Sequence, residues 1–182
     1  MEIRELSIPG AWVVTPRVFH DERGSFAEAF KASEFEKATG RPMDLRQVNC
    51  SVSAAGVLRG IHYTENPPGQ AKYVTCVRGA FLDVVVDLRR GSPTYGRWDS
   101  VLLDDVDRRS VFVSEGLGHA ILSLEDDSTV TYLCSLEYTP ELDGEIDAFD
   151  PTLAIEWPRT GRDGRPLTYL RSPKDTAAPP FS

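Results

Sequence analysis

The residues able to do chemistry gather in the middle of the chain. Arg59 and His62 stand three apart in LRGIHY, a Pro67-Pro68-Gly69 turn follows, and Lys72 heads the next apolar run. Arginine, histidine and lysine brought together across a turn fit a site that binds an anion and moves a proton. Of the three histidines, His20 lies in a polar turn and reads as solvated, whereas His62 and His119 lie in strand contexts. Those two with Glu115 could ligate a metal, but barrel metal sites usually offer His-x-His on one strand face, and position 64 is Thr. Acid–base chemistry is the better reading. Removing a proton beside a ketone needs a base, a cation near the carbonyl oxygen and an acid to return the proton. His62 can be the base, Lys72 the cation and Tyr132, amid apolar residues in TVTYLCS, the acid. Taken alone, Tyr132 reads as an ordinary core tyrosine, and only the constellation singles it out.

These groups must be held by strands. Ile3–Ile8 and Ala11–Phe19 read as edge or irregular strands because Pro9, Gly10 and Pro16 interrupt them. His20–Gly24 is a turn and Ser25–Phe30 alternates. Lys31–Thr39 is the one convincing helix, closed by Gly40. From Leu45 the period is two. Gln47, Asn49 and Ser51 share one face, and the opposite face of Val48, Cys50 and Val52 is expected against the core. Further strands follow at Val57–Tyr63, Lys72–Arg78, Phe81–Leu88, Asp99–Leu103, Ser110–Val113, Ala120–Leu124 and Thr129–Ser135. Asp83 and Asp87 lie inside an apolar strand, where an unpaired charge is expensive, so each needs a partner. Many short strands with Gly, Pro and Asp punctuation predict an all-β sandwich or barrel. Beyond Pro140 the pattern weakens, which predicts an arm wrapping the barrel over about 140–182, with 177–182 frayed.

The 182 residues suggest one domain, and 41% hydrophobic with 26% charged residues is ordinary for a soluble globular protein. No segment has the features of a signal peptide or the ~20 apolar residues of a membrane helix. Cys50, Cys76 and Cys134 lack CxxC spacing and read as reduced core residues of a cytoplasmic protein. A net charge of −8 argues against nucleic acid as a partner, so an anionic ligand requires a local basic cluster.

The segments LRGIHY, PPGQAKYVTCVRGAFLDVVVDLRRGSPTYGRW, SEGLGHAIL and TYLCSLEYTPE resemble the dTDP-4-dehydrorhamnose 3,5-epimerase family, the dTDP-4-keto-6-deoxyglucose epimerases of deoxysugar biosynthesis. The resemblance runs from about Ile3 to Asp175. It implies a cupin-type jelly roll, usually a homodimer, with no metal or organic cofactor and a dTDP-4-keto-6-deoxyhexose as substrate. Carried over by position, it makes His62 the base, Tyr132 the acid, Lys72 the stabiliser of the C4 enolate and Asp175 the carboxylate that orients His62. Arg23 and Arg59 would contact the diphosphate or nearby sugar. Glu28, Gln47 and Asn49 would hold the nucleotide, and His119 would touch the hexose and diphosphate region. Tyr138 would stack on thymine, while Asp143 and Lys174 match further binding positions. The chain departs from the family pattern at Leu133, usually lysine, at Ser114, usually proline, at Ala120, usually glycine, and at Asp143, usually glutamate. Its PPGQAKYVTCVRGA and YLCS wording resembles the antibiotic-sugar branch, some of whose members invert C3 only or C5 only. Two other readings share the fold: a sugar-nucleotide 3,4-ketoisomerase and a non-catalytic sugar-nucleotide-binding cupin.

Overall fold

The computed structural model describes residues 1–181. Its strands are β1 (Glu2–Glu5), β2 (Ala11–Thr15), β3 (Val18–Asp21), β4 (Gly24–Ala27), β5 (Gln47–Ser53), β6 (Leu58–Thr64) and β7 (Lys72–Arg78). They continue with β8 (Ala80–Asp87), β9 (Trp98–Asp104), β10 (Ser110–Val113), β11 (Leu117–Ser123), β12 (Ser128–Cys134) and β13 (Asp143–Glu145). Two helices accompany them, α1 (Ala32–Thr39) and α2 (Pro173–Thr176). A six-stranded sheet in the order β1-β2-β10-β7-β12-β5 faces a five-stranded sheet in the order β13-β6-β11-β8-β9, and β3 pairs only with β4. All the pairings between these strands are antiparallel. This is a jelly roll of the cupin type.

Alternation along the strands builds three apolar layers. Val13, Val74, Phe81, Val85, Leu103, Val111, Val130 and Ile121 fill the space between the sheets. On the outer side of the six-stranded sheet, α1 contributes one buried residue, Phe35, which packs on Tyr73, Phe112 and Val14. Burying a phenylalanine contributes about 2 kcal/mol, enough to dock so short a helix. Gly40 ends the helix in the left-handed conformation, φ 74°, as its position predicts. The arm after Pro140 covers the outer side of the five-stranded sheet with Ile146, Ala148, Leu153 and Trp157.

Three expectations need correction. Val48, Cys50 and Val52 face away from the core: both valines are more than half exposed, and the polar face of β5 turns inward instead. Period two gives the two faces but not which of them is buried, and here the inner face lines a polar cleft. Cys50 is therefore not a core residue, unlike the buried Cys76 and Cys134. The last residues are tied down rather than frayed. Asp147 N–H donates to Pro179 O at 2.8 Å, Phe181 N–H donates to Asp150 Oδ2 at 2.9 Å, and the Phe181 ring packs 5.1 Å from Tyr95. Ser182 lies outside the described residues.

Candidate active site

A polar cleft of about 270 Å³ opens where β5, β12 and β7 meet β6 and β13, and α2 closes one side. Arg59 and His62 both line it although they are three apart, an odd offset that puts side chains on opposite faces of a regular strand. The β6–β11 register explains this. His62 pairs with His119 but Arg59 pairs with Ile121, so β6 carries one extra residue, a bulge, between them. Gly60 sits there with φ 110°, and a Cβ would lie 2.5 Å from the His119 carbonyl oxygen. Only glycine fits that approach.

His62 Nε2 lies 2.6 Å from Asp175 Oδ1. An ionised carboxylate only accepts, so the proton in that bond belongs to Nε2, leaving the Nδ1 lone pair to act as a base. Asp175 is delivered by α2. Ser172 is the N-cap and accepts from Asp175 N–H at 3.0 Å, while its hydroxyl donates to Asp175 Oδ2 at 2.7 Å, and Pro173 opens the helix. Burial works to raise the Asp175 pKa, but hydrogen bonds from His62, Ser172 and the Gly60 N–H outweigh it and hold the carboxyl at about 2.

Lys72 and Tyr132 lie across the cleft from that pair. Burial pushes the Lys72 amine below its ordinary range, against the pull of Cys134, Asp143 and Asp83. Burial and the neighbouring Cys134 raise the Tyr132 phenol, opposed by Asn49 and Arg59. A desolvated cation and a protonated phenol facing a carboxylate-held histidine can stabilise an enolate and deliver a proton to it.

Gln47, Asn49, Tyr138, Asp143 and Lys174 line the same cleft. Asp143 accepts from Thr64 Oγ1 at 3.0 Å, and Lys174 pairs with Glu145. His119 is not on the lining. It opposes His62 in the ladder and its Nε2 lies 2.8 Å from Asp83 Oδ2. Asp83 thus has the partner its burial demands, and its other oxygen, Oδ1, is buried without one. Asp87 is likewise met by Arg89, Ser92 and Thr94. Glu115 is taken by Arg41 through two bonds of 2.7 Å, so His62, His119 and Glu115 each have a different partner and do not form a ligand set.

Arg23 and Glu28 are not brought to the cleft. Arg23 stands on the turn of the β3–β4 hairpin with its side chain 85% exposed, bonded to Asp21, and Glu28 follows β4 on the surface. Asp83, Ser172, Glu145, Tyr63 and Gln70 belong to the site or its support without having been assigned to it by sequence. For Ser172 a signal existed: Ser-Pro-x-Asp is a helix-start pattern that fixes the third side chain.

The fold and this cleft define a jelly-roll protein equipped for proton transfer at an anionic ligand. The chain belongs to the dTDP-4-dehydrorhamnose 3,5-epimerase family, whose model matches residues 5–182. It is 57% identical over 181 residues to the dTDP-4-dehydrorhamnose 3,5-epimerase of Mycobacterium tuberculosis, covering 100% of this chain and 88% of that one. The dTDP-4-dehydrorhamnose 3-epimerase of Streptomyces niveus is 51% identical over 178 residues, covering 98% and 83%. Among solved structures, the M. tuberculosis epimerase superposes with a TM-score of 0.93, over 100% of this chain and 88% of that one. A 3'-monoepimerase from Streptomyces bikiniensis in complex with dTDP-quinovose gives 0.90 at 49% identity, over 97% and 86%.

Proposed function

We propose that this protein epimerises a dTDP-4-keto-6-deoxyhexose at C3, at C5 or at both, in deoxysugar biosynthesis. The observation that carries the reading is the Asp175–His62 pair set in one cleft with Lys72 and Tyr132, within a family of that activity. His62 removes the proton from a carbon flanking the C4 ketone. The electron pair moves onto the ketone oxygen as an enolate, which the Lys72 ammonium stabilises. Tyr132 then returns a proton to the opposite face. One proton leaves and one enters, so the step needs neither oxidant nor reductant. Arg59 and Lys174 supply positive charge for the diphosphate in a chain of net charge −8, and exposed Tyr138 offers a ring face to the nucleobase. Incubating enzyme and substrate in D2O and locating deuterium by NMR tests the proposal. Label at C3, at C5 or at both is expected, and its pattern gives the stereochemical scope. Absence of label at both carbons overturns it.

The active form in this reading is a homodimer whose hairpins are exchanged between clefts. Arg23 and Glu28 lie outside their own cleft, Phe19 and Phe26 stand 46% and 66% exposed on the same hairpin, and Val48 and Val52 form an apolar outer face on edge strand β5. Apolar surface of this kind, next to charged residues with no cleft of their own, fits a second copy of the chain. Three free cysteines fit a reducing compartment, the cytoplasm. Among the described residues no helix is long and apolar enough to cross a membrane.

A further inference from the structure

We propose that Glu145 is a built-in competitor for the substrate's diphosphate: it holds Lys174 while the cleft is empty and yields it when a nucleoside diphosphate arrives. The inference rests on the epimerase reading above and adds to it a residue that lowers affinity for the ligand. It starts from register. β13 is a three-residue strand at the edge of its sheet, and its pairing with β6 sets Asp143 opposite Thr64, Gly144 opposite Tyr63 and Glu145 opposite His62. Alternation puts Asp143 and Glu145 on one face, and both line the cleft. The position between them admits no side chain, because a Cβ on Gly144 would lie 2.3 Å from the Tyr63 ring.

Carboxylates on the wall of an anion site need a reason to be there. The cleft lining carries three cations, Arg59, Lys72 and Lys174, against three carboxylates, Asp143, Glu145 and Asp175. With His62 neutral, those formal charges cancel. Asp175 is committed to His62 and Ser172, and Asp143 accepts from Thr64 Oγ1. Arg59 donates to Ser53 Oγ at 3.2 Å and to Val52 O at 3.3 Å, neither of them charged. Among the described residues, Lys174 is the one lining cation held in an ion pair, and its partner is Glu145.

The two halves of that pair are unequal. The Glu145 side chain is 16% exposed and the Lys174 side chain 58%. The carboxylate is the fixed half, set in the sheet edge, and the ammonium on its flexible stem is the half that moves. Glu145 also holds the Lys174 amine above its ordinary range, so the pair stays charged. A diphosphate offers more charge and more acceptor oxygens than one carboxylate, so it takes the ammonium when both compete. Glu145 borders a second cavity of about 600 Å³ as well, which leaves the released carboxylate open space in which to hydrate. An ion pair this exposed is weak, and breaking it costs the ligand only about twofold to fivefold in affinity. On product release the exchange runs backward: Glu145 recovers Lys174, and the diphosphate loses a partner as it leaves.

The experiment measures the dissociation constant of dTDP by calorimetry for wild type, Glu145→Gln and Glu145→Ala. Both variants should bind dTDP about twofold to fivefold more tightly than wild type. Damage to the fold does not tighten binding, so a gain reports the loss of a competitor, and the second variant serves if the first does not fold. The same comparison in a Lys174→Met background closes a double-mutant cycle. There the gain from Glu145→Gln should vanish, because the cation for which the two anions compete is gone. Unchanged or weaker dTDP binding in the Glu145 variants overturns the inference and makes Glu145 a support for Lys174. A gain of the same size without Lys174 also overturns it, since Glu145 then repels the ligand directly and exchanges no partner. A wild type that exchanges no deuterium at C3 or C5 overturns the epimerase reading itself, an outcome separate from the dTDP comparison.

Discussion

His62 and Asp175 are 113 residues apart in the chain and 2.6 Å apart in the fold. Each is delivered by a local irregularity: the bulge at Gly60 turns His62 inward, and the cap at Ser172 turns Asp175 toward it. The Gly60 N–H also donates to Asp175 Oδ1 at 3.3 Å, so one backbone feature serves both partners. The histidine is thereby fixed in ring orientation and in tautomer before any substrate arrives.

Asp175→Asn tests that arrangement. An amide presents a donor as readily as an acceptor toward Nε2, so it no longer selects the tautomer with the lone pair on Nδ1. The turnover number should fall about 10²- to 10⁴-fold with dTDP affinity nearly unchanged, read by steady-state kinetics and calorimetry. A fall of less than about threefold would remove Asp175 from the catalytic machinery.

His62→Ala and Tyr132→Phe should fail differently. Without the base, no carbon loses its proton, and deuterium incorporation should vanish together with inversion. Without the phenol, His62 still opens the carbon–hydrogen bond, so exchange persists while inversion drops by about 10² or more. Complete and equal loss of exchange in both variants would contradict the division into base and acid.

Lys72 has to be protonated to stabilise an enolate, and its amine is pushed below the ordinary 10.5 by burial. The groups facing it are Cys134 from β12, Asp143 from β13 and Asp83 from β8, and none restores the ordinary value. Turnover should therefore decline with rising pH before 10.5 is reached. Tyr132 is shifted the opposite way, above 10.0, so its ionisation follows later. Lys72→Arg keeps a cation that does not deprotonate in this range and should retain measurable activity without that decline. Lys72→Met should lose about 10²- to 10³-fold in exchange and inversion alike, because both pass through the enolate. Rate–pH profiles of the three proteins decide the matter.

Much of this site was legible in the residues, and what was not has physical causes. Period-two alternation gave the strands, and Gly40 gave the end of α1, because both depend on local geometry alone. The demand that Asp83 and Asp87 find partners was also readable, since it follows from the cost of buried charge. The identity of those partners was not, because His119 reaches Asp83 only through the β8–β11 pairing. The face of β5 was misassigned for a related reason. Val48 and Val52 look like core residues, but the inner side of β5 faces a ligand-sized cleft rather than packed side chains. Arg23 and Glu28 were assigned to the cleft by resemblance, and one chain alone does not bring them there.

Acid should weaken the fold through the carboxylate that holds His62. Asp175 is held at about 2 in the folded protein, against an ordinary 3.8. A depressed carboxyl contributes stability that is fully present above the unfolded value and is lost as pH falls through the folded one. The window runs from about pH 4 down to about pH 2, and the amount at stake is about 2 kcal/mol. Urea denaturation of wild type and Asp175→Asn at several pH values measures it: the gap between them should be constant above about pH 5 and shrink by about that amount toward pH 2. A gap that stays constant over the whole range would mean that Asp175 is not held down by its hydrogen bonds.

If hairpins are exchanged between copies, Arg23 belongs to the partner's cleft, and defects in Arg23 and His62 should complement one another. His62→Ala dimers lack the base at both sites, and Arg23→Ala dimers lack the hairpin cation at both. Refolding the two together forms mixed dimers. In each of these, the cleft with an intact His62 receives the hairpin with an intact Arg23, while the other cleft receives neither. Random pairing makes half the dimers mixed, with one good cleft in two, so activity should recover to about a quarter of wild type. If Arg23 serves its own cleft, every cleft in the mixture carries one defect and no recovery occurs. The hairpin turn, with Arg23 at its tip and Phe19 and Phe26 exposed behind it, has the composition expected of an arm inserted into a neighbour. Size-exclusion chromatography with light scattering should accordingly give a dimer for wild type. Phe26→Asp should give a larger monomer fraction and lower activity, with β-sheet content unchanged by circular dichroism.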